Sequence, residues 1–89
     1  MMIAKHYSGD EVVRLGRERY EREIREVVEA QHRGKFLVLD IETGEYEIDA
    51  TDILAIERAQ AKRPDAALFI LRIGFPTAYK LGGTWGVAR

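Results

Sequence analysis

The sequence predicts an α+β fold: a long N-terminal helix, then an antiparallel sheet made from a β-hairpin, a crossover helix and a third strand. Three observations carry that reading. Residues 8–34 show a capped, charge-laced helical pattern. Residues 35–49, KFLVLDIETGEYEID, read as a hairpin whose first strand is apolar on both faces and whose second is apolar on one. Residues 67–73, ALFILRI, are the most apolar run in the chain, and a second helical stretch separates them from the hairpin.

The elements follow in order. Residues 1–7 are a frayed tail or an added edge strand. Ser8 then stands at an N-cap with Glu11 three positions on, the spacing of a capping box, while Tyr7 and Val12 hold the positions of a hydrophobic staple. Asp10 and Glu11 complement the positive helix end. The helix runs to about His32, with Gly34 near its C-cap. Its apolar stripe is Val12, Val13, Leu15, Tyr20, Ile24, Val27 and Val28. Opposite charges recur at i,i+4, as in Arg14–Glu18, Glu21–Arg25 and Arg25–Glu29, each worth about 0.2–0.5 kcal/mol. The plain reading is a solvated helix laid on the sheet. A stripe recurring near 13, 20, 24, 27 and 31 gives the competing reading of a short dimer helix.

In the hairpin, Gly44 supplies the positive φ of the turn. Placing Ile41 opposite Tyr46 and Leu39 opposite Ile48 gathers Leu37, Leu39, Ile41, Tyr46 and Ile48 on one face. Phe36, Val38, Asp40, Glu45, Glu47 and Asp49 take the other. A one-residue slip would set core residues against carboxylates, so the pattern selects a two- or four-residue loop over a three-residue one. A second helix follows, capped by Asp49 or Thr51, running through Ile53, Leu54, Ile56, Ala59 and Ala61 and stopping before Pro64. The third strand then adds antiparallel to the first, in the order 2-1-3, which centres the strand that is apolar on both sides. Phe69 and Leu71 fall on the core face under the second helix, and Leu68, Ile70 and Arg72 lie beside Phe36 and Val38. The tail, residues 74–87, holds a Gly82-Gly83 turn signal and forms an extra C-terminal strand or hairpin.

At 89 residues, the chain 1–89 is expected to be a single domain with an adequate core. Hydrophobic content of 46% and charged content of 33% suit a folded globular protein, and a formal net charge of −1 disfavours nucleic acid without eliminating it. The absence of cysteine removes disulfides, thiolate metal sites and a cysteine nucleophile. No apolar run reaches spanning length and the first residues carry no signal-peptide core, so no membrane association and a cytoplasmic location are expected. His6 and His32 have no metal-ligand spacing. Asp40, Glu42, Glu45, Glu47 and Asp49 form an acidic strip on the hairpin. Paired carboxylates of this kind can hold Mg²⁺ or serve acid–base work, but their alternation along a strand reads as a solvated face. No triad, phosphate loop or dinucleotide fingerprint is present. No catalytic, cofactor-binding or metal residue is therefore assigned.

The second face of the sheet carries Phe36, Val38, Leu68 and Ile70, rimmed by Asp40, Glu45, Glu47 and Arg72, and an apolar centre of this kind has to be covered. The expectation is partial cover by the first helix, completed by a second copy of the protein. The interface residues are then Phe36, Val38, Leu68, Ile70 and Arg72, with Phe75, Tyr79 and Trp85 as aromatic anchors.

The segments GKFLVLDIETGEYEID and RIGFPTAYKLGG also resemble small uncharacterised bacterial and cyanobacterial proteins. These share a GKF/Y-hydrophobic-D…TG-x-Y-x-ID core and an R-x-GF-x-x-AY tail. The resemblance covers roughly residues 33–83, and some such proteins look like members of toxin–antitoxin-type gene pairs. It implies a protein partner encoded nearby and carries over no catalytic residue. The leading expectation is a non-enzymatic protein-binding module, self-associating as a homodimer or antitoxin-like. A DNA-binding autoregulator and a metal-dependent enzyme using the acidic strip are the alternatives.

Overall fold

The structure, a computed structural model, describes residues 7–75 and 78–82. The expected N-terminal tail or edge strand before Tyr7, the Gly82-Gly83 turn, any strand after it, and Trp85 lie outside the described residues. In chain order the elements are α1 (Gly9–Arg19), a π-helical turn (Tyr20–Ile24), α2 (Arg25–His32), β1 (Phe36–Asp40), β2 (Tyr46–Asp49), α3 (Asp52–Lys62), β3 (Ala67–Arg72) and β4 (Ala78–Gly82). The sheet is antiparallel in the order β2-β1-β3-β4, so the expected 2-1-3 core gains a C-terminal strand on its far edge.

The long helix begins where its capping box places it. Ser8 Oγ accepts from the Glu11 N–H at 3.0 Å, and the Ser8 N–H donates to Glu11 Oε1 at 2.9 Å. Its buried line is Val12, Gly16, Tyr20, Ile24 and Val28, each four residues from the last. On a regular α-helix of 3.6 residues per turn, that spacing drifts by about 40° at each step and would walk off the sheet. The wider π turn absorbs the drift: the Arg25 N–H reaches back five residues to the Tyr20 carbonyl. Val27, expected in the stripe, is 67% exposed, and Val13 and Leu15 are only half-buried. Tyr20 and Ile24 belong to the core of this chain's own sheet, and Val27 and Gln31 are exposed, so the geometry is that of a helix laid on a sheet.

The hairpin keeps the expected side-chain parity in a different register. Leu39 pairs with Tyr46 and Leu37 with Ile48, a shift of two from the expected Ile41–Tyr46 match. A shift of two leaves every side chain on its expected face. The cause is Asp40, which closes a four-residue loop earlier than Ile41 would. Its carboxylate accepts from the N–H groups of Glu42 (2.9 Å) and Thr43 (3.3 Å), and its carbonyl accepts from Gly44 at 2.9 Å. Gly44 has φ of +84°.

The two helical layers lie on the faces opposite to those expected. Leu37, Leu39, Phe69 and Leu71 form one core with Val12, Tyr20, Ile24 and Val28 of the long helix. Val38, Leu68 and Ile70 form the other with Ala55 and Ala59 of α3 and Ala66. The strict four-residue line of the long helix matches the larger face, which needs a long aromatic-bearing cover. The alanines of α3 fit the face where small residues allow close approach. Ile53 and Leu54 of that helix lie away from the sheet, 64% and 47% exposed.

The tightest inter-layer contact is at Gly16, which is buried against β3. A Cβ built there would stand 2.2 Å from Phe69 Cγ and 2.5 Å from Phe69 Cβ. Alanine is the better helix former by roughly 1 kcal/mol, but the clash outweighs that gain. Gly16→Ala is expected to lower unfolding free energy by about 1–3 kcal/mol, measured by urea denaturation. A Gln31→Ala control, exposed on α2, should stay within about 0.5 kcal/mol of the parent. A Gly16→Ala variant as stable as the parent would show that the helix and β3 stand further apart than this contact requires.

Candidate functional site

The two ends of the sheet differ in charge. At the hairpin end, the acidic strip is not a solvated face. α3 lays a cationic edge along it. Arg58 donates through Nε to Glu47 Oε1 (3.0 Å), through Nη1 to Asp49 Oδ2 (3.1 Å) and through Nη2 to the Ile48 carbonyl (2.7 Å). Lys62 Nζ lies 2.6 Å from Glu47 Oε2. Arg63 grips both oxygens of Asp40 through Nη1, at 3.0 and 2.8 Å, and Glu42 Oε1 through Nη2 at 2.6 Å. The Lys62 ammonium, with Arg58 behind it, holds the Glu47 carboxyl below its usual range. The Thr51 N–H and then Arg58 do the same for Asp49. A shallow hollow lies beside Asp40, between the strip and α3, and is lined by Tyr46, Glu47, Ala59, Lys62 and Arg63. Its carboxylates are already engaged by side-chain cations. Among the described residues, no group of three or more His, Cys, Asp or Glu side chains is placed to hold a metal ion.

The other end of β1 and β3 is built by a pair of glycine turns. In the first, the Lys35 N–H donates to the His32 carbonyl at 3.0 Å, with Arg33 at φ −55°, ψ 133° and Gly34 at φ +90°. These are the angles of a type II turn, which needs glycine at its third position. In the second, the Phe75 N–H donates to the Arg72 carbonyl at 3.0 Å, with Gly74 at φ +87°. The turns are joined by Gly34 N–H to Ile73 O and Ile73 N–H to Lys35 O, each 2.8 Å.

Each turn's arginine then reaches the other turn. Arg72 Nε donates to the Gly34 carbonyl at 3.0 Å. The Arg33 side chain packs over Gly74, where a Cβ would stand 2.8 Å from Arg33 Cγ. The Phe75 ring is shared between them: its centroid is 4.5 Å from the Arg72 guanidinium carbon and 5.7 Å from that of Arg33. Arg72 also lies 5.7 Å from the centroid of the Phe36 ring. Such contacts contribute about 0.5–1 kcal/mol each at exposed sites.

What sets this end apart is charge balance. Arg14, Arg19, Arg22, Arg25, Arg58, Lys62 and Arg63 are all ion-paired. Arg33, Lys35 and Arg72 are exposed, and among the described residues none of them has a carboxylate partner. Phe75 stands among them 40% exposed.

The residues expected to form an interface therefore divide. Val38, Leu68 and Ile70 have no accessible surface, because α3 covers them. Their burial removes the reason for a second copy to sit on that face. Phe36, Arg72 and Phe75 converge at the glycine-turn end. Tyr79, 42% exposed on β4, stands apart with its hydroxyl donating to Asp52 Oδ2 at 2.6 Å. Burial of the phenol and that bond push its pKa up to about 12. Arg33 and Lys35 were not foreseen. The available signal was the G-bearing spacing around each arginine, RGKF and RIGF, which places an arginine and a phenylalanine around each turn glycine.

No known protein family, curated protein or solved structure matches the chain. No helix among the described residues is long and apolar enough to cross a membrane.

The depressed Glu47 and Asp49 carboxyls fix a pH dependence. Both are charged more readily in the folded chain than in the unfolded one, so their stabilisation is present above about pH 4 and falls away as pH drops through their folded values. Acid titration of the melting temperature should show a steeper decline below about pH 4 in the parent than in Glu47→Gln. Parallel declines would mean that Lys62 and Arg58 do not engage Glu47 in solution.

Proposed function

We propose that this chain is a binding module that engages a protein partner through the glycine-turn end of its sheet, with Phe75, Phe36 and Arg72 as the contact centre. The observation that carries the reading is a set of positioned cations, without a carboxylate partner among the described residues, around an exposed aromatic ring. Aromatic and arginine side chains are the types enriched at interface centres. Neither ring nor guanidinium here is needed to finish either core. A different protein is favoured over a second copy, because the apolar face that called for self-association is already covered by α3. The resemblance of roughly residues 33–83 to small uncharacterised bacterial and cyanobacterial proteins, some of which look like members of toxin–antitoxin-type gene pairs, supports a partner encoded nearby. A DNA-binding role is less well supported: a few cations give a small footprint beside the many phosphate contacts that nucleic-acid affinity rests on.

Site-specific photo-cross-linking in the native cell tests this. With p-benzoylphenylalanine replacing Phe75, a defined protein adduct is expected, absent when the probe replaces the exposed Glu57 of α3. Adding Arg72→Glu should reduce the adduct at least about tenfold. Equal labelling from both positions, or none from position 75, would rule this surface out. Light scattering at micromolar concentration is expected to give the mass of one chain.

A further inference from the structure

We infer that the partner segment docking on this surface is acidic, with carboxylates held by Arg33 and Arg72 beside the Phe75 ring. The inference rests on the protein-binding reading above and specifies its chemistry.

Three features argue for carboxylates. First, among the described residues the cations have no carboxylate partner. Arg33, Lys35 and Arg72 leave a local positive charge on a chain of formal net charge −1, so the field at this end is complementary to an acidic ligand and opposed to a basic one. Second, among the described residues the guanidiniums are positioned by groups other than anions. Arg72 is fixed by the Gly34 carbonyl and by two ring faces, and Arg33 by Gly74 and Phe75. Only one of Arg72's donors, Nε, is committed to that carbonyl among the described residues, which leaves its terminal N–H groups for an incoming carboxylate. Less ordering of long side chains is then required on binding. Third, the Phe75 ring offers a partly exposed apolar surface within reach of both guanidiniums. An acidic segment carrying an apolar side chain would satisfy both parts, whereas a free inorganic anion would leave the ring uncovered.

The test uses the full chain and fluorescence anisotropy with a labelled hexaglutamate peptide carrying a central leucine. Binding is expected to weaken as salt rises from low to physiological ionic strength. Arg72→Ala and Arg33→Ala should each weaken it at least about fivefold, and Arg72→Lys less than Arg72→Ala. Arg14→Ala, which removes a cation paired with Glu18 on α1, should change it less than twofold. Circular dichroism confirms that each variant is folded. Gly74→Ala provides a second route, since it displaces Arg33 while keeping every charge, and should weaken binding too. No binding of the acidic peptide, equal binding of a hexalysine analogue, or loss through Arg14→Ala as large as through Arg72→Ala overturns the inference. Tighter binding of a twelve-nucleotide oligothymidylate than of the peptide also overturns it, and assigns the surface to nucleic acid. A partner cross-linked from position 75 that hexaglutamate cannot displace overturns the acidic-segment inference alone and leaves the protein-binding reading standing. Absence of any cross-link from position 75 removes both.

Discussion

The structure depends on one constraint: β1 and β3 are apolar on both faces, so both faces must be covered. Leu37, Val38, Leu39, Leu68, Phe69 and Ile70 all have zero accessible surface. Burying a side chain of this kind contributes about 1.5–3 kcal/mol relative to leaving it exposed. A strand of that composition cannot rest at an edge. β1 and β3 therefore occupy the centre, with β2 and β4 outside them, and the helices take opposite sides. The π turn and Gly16 are consequences of the same demand. One keeps the long helix over its face for five successive buried positions, and the other lets it come close enough to pack on Phe69.

The ends of the two central strands are finished in contrasting ways. At the hairpin end, Asp40 is buried and does several jobs at once. It caps the loop through its carboxylate and takes a two-oxygen grip from Arg63 just after α3. The remaining carboxylates of the strip find Arg58 and Lys62 within reach, so charge there is cancelled inside the molecule. At the opposite end the arginines are oriented by a carbonyl, by backbone at glycine and by aromatic rings. These partners fix position without cancelling charge. That difference is the physical basis for placing a binding surface at the glycine-turn end. It also turns attention away from the acidic strip, whose composition made it the more obvious place to look for chemistry.

Local rules sufficed for the parts of this chain that are decided locally. The capping box at Ser8 and Glu11, the Thr51 cap, the turn glycine at 44 and the stop before Pro64 each depend on residues within four positions of one another. The parity of the hairpin was legible because a period of two tolerates a register shift of two without moving a side chain to the wrong face. The shift itself was not legible, since it follows from Asp40 accepting the loop N–H groups. The stripe of the long helix was only partly legible: a line spaced by four looks like a poor helical face until a π turn is allowed.

The sequence by itself determined the element order, the central place of the doubly apolar strands and the need for cover on both sides, because these follow from side-chain period and from the cost of exposing apolar surface. Only the tertiary structure decided which helix covers which face. Both helices carry an apolar side, and the choice turns on volumes: a glycine fitted to Phe69 on one layer, alanines against Val38, Leu68 and Ile70 on the other. The tertiary structure likewise decided which charges meet an opposite charge and which, among the described residues, do not. Arg33 and Arg72 are 39 positions apart in the chain, and they meet on one phenyl ring only because antiparallel β1 and β3 bring their turns side by side.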